Sequence, residues 1–219
     1  MIEMDNITKT FRKGGRRIKA VDGLTWRAGR GTFSVVYGKS GSGKSTLLMM
    51  LGGMMTPTNG HITVGGRDLY ALSRGYRNVF RRKSVGFIFQ KFLLLPYFTV
   101  YENIGLPLAM NRTCATRERI LGVARDLGLC DRIDHHPAEL SVGQQQRVAM
   151  ARALVKEPEI ILADEPTGNL DRENGDIIIE SLLAAAKAGK TVIAATHDER
   201  LMERAHYKLR LDTGKGFSS

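Results

Sequence analysis

The chain has 219 residues, 42% of them hydrophobic, and carries 33 Lys and Arg against 22 Asp and Glu, a net charge of +11. That length suits one large α/β domain over 1–219 with a small subdomain and excludes two full domains. The positive charge leaves nucleic acid, anionic lipid headgroups or an acidic partner open and also fits simple solubility, so by itself it decides nothing.

The first 26 residues read as two strands, with Ile2, Met4 and Ile7 in one and Val21, Leu24 and Trp26 in the other. The basic turn Arg12-Lys13-Gly14-Gly15-Arg16-Arg17 joins them, which predicts an antiparallel β-subdomain at the N-terminal end. Phe11 stands where the first strand ends. Phe33-Ser34-Val35-Val36-Tyr37 is a further strand, and Leu47 to Leu51 is an apolar helical run. Between them lies Gly38-Lys39-Ser40-Gly41-Ser42-Gly43-Lys44-Ser45-Thr46, which fits the phosphate-loop pattern G-x4-G-K-[ST] with both flanks in place. Its glycines let backbone N–H groups turn inward around an anion, and the following helix adds its positive N-terminal end. Lys44 would reach the β- and γ-phosphates and Ser45 would offer its hydroxyl to Mg2+. The segment predicts nucleoside triphosphate binding through Gly38, Ser40, Gly41, Ser42, Gly43, Lys44, Ser45 and Thr46 on a mainly parallel sheet.

Beyond a turn at Pro57-Thr58-Asn59-Gly60, His61 to Val64 reads as a strand. Arg74 to Lys83 is strongly basic and reads as a solvated helix face, and Ser84 to Phe89 is a strand that delivers Gln90 at its carboxyl end. From Lys91 to about Pro137 strand runs vanish and helical pieces appear, Val100 to Met110 and Arg117 to Gly128. A helical subdomain at about 91–137 is therefore predicted between Gln90 and Leu140-Ser141-Val142-Gly143-Gln144. Ser141 and Gln144 have capping-box spacing, so Ser141 and Gly143 are expected at an exposed helix N-terminus, a ready anion site. Ile160 to Ala163 is a strand ending in Asp164-Glu165-Pro166. An amphipathic helix over about 173–188 then leads to a strand at Thr191 to Ala195, followed by Thr196-His197-Asp198. Strand–helix–strand at this length argues for parallel pairing, which sets the phosphate loop, Gln90, Asp164, Glu165 and His197 at one ligand-binding edge.

Cys114 and Cys130 match no metal or redox spacing and are expected to be reduced and incidental. No secretory pattern opens the chain, and the longest apolar run, Leu47 to Met55, contains two glycines and falls short of the ~18–20 residues that span a bilayer. A soluble, cytoplasmic protein is expected.

Phosphoryl transfer to water needs charge neutralised, a water positioned and its proton accepted. Asp164, closing an apolar strand, suits Mg2+. Glu165, expected on the opposite face of that strand, suits the general base, and His197 and Gln90 complete the shell around the γ-phosphate.

The ordered set of motifs resembles an ATP-binding cassette ATPase from Phe11 to His197. The match comprises the phosphate loop at 38–46, Gln90, Leu-Ser-Val-Gly-Gln at 140–144, Ala-Asp-Glu-Pro at 163–166, Asn169-Leu170-Asp171 and His197. The resemblance implies that Phe11 stacks on adenine, that Ser45, Gln90 and Asp164 hold Mg2+, and that Lys44, Gln90, Glu165 and His197 act in hydrolysis. It also implies that two copies sandwich two ATP, with Ser141, Gly143 and Gln144 of one copy facing the phosphate loop of the other. The stretches 162–171 and 101–104 look most like the lipoprotein-release, macrolide-export and cell-division branch, whose cassettes lie on the inner face of the membrane and pair with a separate permease subunit. In that branch the segment near Phe92 to Asn103 grips the permease. Val142 departs from the glycine usual there and bears on hydrolysis rate. A soluble cassette ATPase acting on nucleic acid or ribosomes is the alternative; with no heptad run between Gln90 and Ser141, the transporter reading is preferred and nucleic acid disfavoured. A small phosphate-loop kinase leaves the 140–144 segment and Glu165 unexplained.

Overall fold

Hydrophobic alternation and glycine turns set out the chain in the computed structural model, which describes residues 1–111, 116–212 and 214–218. Cys114 lies outside the described residues. In chain order the elements are β1 (Ile2–Lys13), β2 (Arg16–Ala28), β3 (Phe33–Tyr37), α1 (Lys44–Leu51), β4 (Asn59–Val64), β5 (Arg67–Asp68), α2 (Arg74–Ser84) and β6 (Val85–Ile88). There follow α3 (Val100–Met110), α4 (Arg117–Asp126), α5 (Val142–Leu154), β7 (Ile160–Asp164), α6 (Arg172–Lys187), β8 (Thr191–Ala195), α7 (Glu199–Arg204), β9 (Tyr207–Asp212) and β10 (Lys215–Ser218).

β1 and β2 pair antiparallel across Gly14-Gly15, and β4 and β5 extend them into a four-stranded sheet of order β2-β1-β4-β5. One face carries the apolar residues of the alternation, Ile2, Met4, Leu24 and Trp26, all buried. This is the predicted antiparallel β-subdomain.

The second sheet runs β10-β9-β3-β8-β7-β6, parallel throughout except for the β9–β10 hairpin. Its central strands β7 and β8 are buried at every position. That continuous burial follows from cover on both faces, as parallel sheets require. Val35, Ile161, Ala163 and Val192 pack against α3, α5 and α6 in one core cluster. Val36, Ile160, Leu162 and Ile193 point the other way, toward α1 and the antiparallel sheet.

Between Gln90 and Ser141 the described residues contain α3, α4 and short 3-10 turns but no strand, in line with the predicted helical insertion. Thr99 and Glu102 form a capping box that starts α3. Helix α4 ends at Asp126, two residues before Gly128 at φ 62°, where a left-handed turn suits glycine. The basic segment forms α2, which has no buried residue. Arg77 and Arg81 of this helix donate to Leu72 O and Gly53 O.

The β9–β10 hairpin has no counterpart in the sequence reading, although Leu209 and Leu211 alternate with polar residues in the manner of a strand. It pairs with β3 and sets Leu211 against the start of the phosphate loop.

Candidate functional site

At the carboxyl edge of the parallel sheet, β3 leads into the phosphate loop and β7 and β8 deliver the acids and the histidine. Two glycines fix the loop's path. Gly38 has φ 150°, and a Cβ there would stand 2.0 Å from Leu211 O; Gly43 has φ 102°, and a Cβ there would stand 1.9 Å from Ala20 O. No side chain fits at either place, so backbone N–H groups reach the loop interior unshielded. Ser42 is buried and its hydroxyl has no hydrogen-bond partner among the described residues.

Helix α1 starts at Lys44, whose Nζ donates to Gly38 O (2.7 Å) and Lys39 O (3.3 Å) and lies 3.0 Å from His197 Nε2. Burial lowers the Lys44 pKa, and the charges of Glu165 and Asp164 oppose that shift. Asp164 is the last residue of β7 and is buried. Glu165 has φ 47°, so the strand alternation stops before it. The expectation that Glu165 faces away from Asp164 is corrected: both carboxylates line one cavity, because the chain turns at Glu165 instead of continuing as strand. Glu165 Oε2 accepts from the His197 backbone N–H at 3.3 Å, and Oε1 lies 3.4 Å from His197 Nε2.

This cavity, about 690 Å³ in volume, is lined by Ser40, Gly41, Gly43, Lys44, Ser45 and Thr46 from the loop and by Gln90, Asp164, Glu165 and His197 from the strand ends. Gly38 and Ser42 are not part of that lining. Ala20, Thr167, Gly168, Thr196 and Asp198 also line it and were not singled out from sequence. Thr167-Gly168 directly follows the acid pair and Asp198 follows His197, so adjacency to the motifs was the available signal. Asp198 accepts from Thr167 Oγ1 (2.8 Å) and from Arg200 Nη2 (2.7 Å).

Four expected site residues lie apart from this cavity. Phe11, on β1, is 38% exposed, with Lys9 Nζ 5.4 Å from its ring centroid. Ser141 caps α5 in the predicted capping box with Gln144, at 3.2 and 2.9 Å. Ser141 is exposed as expected, but Gly143 is buried beneath the Asn174 side chain. The residue exposed beside Ser141 is Val142, at 49%.

The sequence model of the family described as ABC transporter matches residues 21–168. The chain belongs to the ABC transporter family. The lipoprotein-releasing system ATP-binding protein LolD of Xanthomonas campestris pv. campestris is 40% identical over 218 residues, which cover 98% of this chain and 91% of that protein. The macrolide export ATP-binding/permease protein MacB of Bdellovibrio bacteriovorus is 39% identical over 214 residues, 98% of this chain and 33% of that protein. The cassette thus spans about a third of the length of MacB and nearly all of LolD. Among solved structures, the dimeric ABC transporter cassette MJ0796 aligns with TM-score 0.93 and 37% identity, over 99% of this chain and 96% of that one. The same cassette in a post-hydrolysis state bound to ADP and Pi aligns with TM-score 0.94 and 36% identity, over 100% and 98%. This chain is an ABC ATPase cassette of the transporter type on a phosphate-loop α/β fold, with relatives in lipoprotein release and macrolide export.

Proposed function

We propose that two copies of this cassette close around two ATP molecules and, by hydrolysing them, drive a separate membrane-spanning permease or mechanotransmission subunit. The observation that carries this reading is the separation within one chain. Lys44, Asp164, Glu165 and His197 share the cavity, while Ser141 stands outside it at an exposed helix start. Each copy holds one half of a site, and a second copy supplies the other.

In this reading the loop N–H groups and Lys44 hold the β- and γ-phosphates, and Phe11 offers its ring to adenine. Ser45, Gln90 and Asp164, which line the cavity, offer hard oxygen donors, and the described residues hold no group of three or more His, Cys, Asp or Glu able to cage a metal. That donor set fits Mg2+, which keeps water and phosphate oxygens and takes few ligands from protein. When bound, Mg2+ neutralises charge on the phosphates. Glu165 accepts the proton of the attacking water, and the His197 N–H fixes its carboxylate. From the second copy, Ser141, Gly143 and Gln144 bring the start of α5 to the γ-phosphate, where its N-terminal dipole favours the anion.

Residues 1–219 act in this scheme as one nucleotide-binding domain containing a helical subdomain at about 91–137, which grips the permease near Phe92 to Asn103. No helix among the described residues is long and apolar enough to cross a membrane. In this reading the membrane-spanning part is a separate subunit and the cassette lies on the inner face of the membrane.

A mixing experiment tests the composite site. A Lys44→Ala copy and a Gly143→Asp copy, each inactive alone, assemble a mixed dimer with one site whose Lys44 and Gly143 are both intact. ATP hydrolysis returns on mixing. Mixed dimers that form and remain inactive overturn the reading.

A further inference from the structure

Phe92 and Leu93 are consecutive non-glycine residues with φ of 53° and 50°. Left-handed backbone crowds Cβ against the following carbonyl, and neither side chain has a polar group to compensate. Two such residues in a row persist only where surrounding structure holds them.

Arg152, in the last turn of α5, does the holding. Its Nη1 donates to Leu93 O at 2.6 Å and its Nη2 to Phe92 O at 2.5 Å. One planar guanidinium thus grips both carbonyls of the strained pair, a geometry that a single ammonium does not reproduce. Burial holds the Arg152 pKa below the ordinary arginine value. The turn is tied on either side as well: Phe92 N donates to Phe89 O (3.1 Å), and Asn103 of α3 accepts from Leu95 N (2.9 Å) and donates to Leu95 O (3.1 Å).

The turn divides two cavities. Gln90 lines the cavity of the phosphate loop. Phe89, Leu93, Leu95 and Arg152 line a second one of about 630 Å³. Phe89, Leu93 and Leu95, within five positions of Gln90 in sequence, therefore line a different cavity, and the reversal in this stretch is the segment that Arg152 clamps.

We infer that Arg152 is a positioning residue for ATP hydrolysis: by gripping the carbonyls of Phe92 and Leu93 it holds the strained turn that presents Gln90 to the nucleotide cavity. The inference rests on the reading of Gln90 as a residue of the γ-phosphate shell. Arg152 touches no reacting atom and acts through Gln90 alone.

The test is steady-state ATP hydrolysis and ATP affinity of the full chain carrying Gln90→Ala, Arg152→Ala, Arg152→Lys or Leu93→Gly, and of the doubles Arg152→Ala/Leu93→Gly and Gln90→Ala/Arg152→Ala. Arg152→Ala lowers kcat by about 10- to 10²-fold, the scale of a misplaced group, with ATP affinity unchanged. Arg152→Lys is intermediate. Leu93→Gly, in a residue 54% exposed, restores kcat in the Arg152→Ala background to within about threefold of Leu93→Gly alone, because glycine takes positive φ freely. Gln90→Ala/Arg152→Ala is no slower than Gln90→Ala, since both act through one group. Additive losses in that double, no recovery with Leu93→Gly, or a folded Arg152→Ala with wild-type kcat overturns the inference while Gln90→Ala remains impaired. Wild-type kcat in Gln90→Ala removes Gln90 from the site and overturns the underlying reading as well. Where Arg152→Ala does not fold, Arg152→Lys in the same two doubles decides the matter.

Discussion

Asn174 lies directly on Gly143: a Cβ at position 143 would stand 2.4 Å from Asn174 Cγ. Asn174 is itself held, its backbone N–H donating to Asp171 Oδ1 (2.8 Å) and its Nδ2 to Asp171 Oδ2 (2.7 Å). The first turns of α5 and α6 therefore meet without room for a methyl group, and the loop ending at Asp171 is tied to the start of α5.

Gly143→Ala is expected to destabilise the fold by about 1–3 kcal/mol, the usual cost of overpacking. Asn174→Ala in the same chain removes the clash and recovers part of that loss in urea unfolding. Gly143→Asp brings the same clash with Asn174 and adds like charge beside the γ-phosphate, and hydrolysis is abolished. Val142→Gly, at the exposed neighbour, leaves the protein folded and active. A Gly143→Ala protein as stable as wild type would show that α5 and α6 are not packed as described.

Glu165→Gln keeps the shape of the side chain and removes the proton acceptor, so kcat falls by ~10²–10⁴-fold while ATP binding survives. The mutant collects as an ATP-bound dimer, seen by size-exclusion chromatography with ATP and Mg2+. Lys44→Ala fails one step earlier, with weak nucleotide binding and no trapped dimer. Wild-type turnover by Glu165→Gln removes it as the base.

Asp198 should give the cassette an acid-sensitive element. Burial pushes its carboxyl up, but hydrogen bonds from the Arg200 side chain, the Thr167 hydroxyl and the Arg200 N–H, with the Arg200 charge, outweigh burial and hold it below its ordinary value of 3.8. A depressed folded pKa means that the ionised group contributes stability fully above 3.8 and loses it as pH falls through the lower folded value. Asp198→Asn is expected to cost about 1.5–3 kcal/mol at pH 7, the scale of hydrogen bonds to a charged group. The gap to wild type narrows as pH falls below about 4, where the carboxyl of the unfolded chain takes up its proton first, and is lost as the folded carboxyl titrates at its lower value. A gap in urea stability that stays constant from pH 7 to pH 3 would contradict this account.

Phe11→Ala is expected to weaken ATP binding by roughly 1–3 kcal/mol, the scale of base–aromatic stacking, and Phe11→Tyr to be nearly neutral. Titration with a fluorescent ATP analogue reads both. Equal affinity in Phe11→Ala and wild type excludes Phe11 from the site.

Local chemistry made much of this cassette legible. The phosphate loop is a contiguous pattern, the capping box at Ser141 and Gln144 spans four residues, and continuous apolar runs announce β7 and β8 as buried parallel strands. Such features depend on neighbours in sequence, and the amino-acid order determines them alone. The β9–β10 hairpin was missed because a short edge alternation carries little signal without the strand it joins. Tertiary structure decided what depends on distant partners. Glu165 turns beside Asp164 instead of away from it, with its backbone N–H donating to Ala195 O at 2.8 Å. Gly143 is covered by Asn174, from a helix 31 positions away, and the carbonyls of Phe92 and Leu93, both at positive φ, are gripped by Arg152 from α5. Periodicity and motif spacing register what a residue does to its own segment. Steric exclusion and hydrogen bonds between segments exist only once the chain has folded, and they set where the site's side chains point.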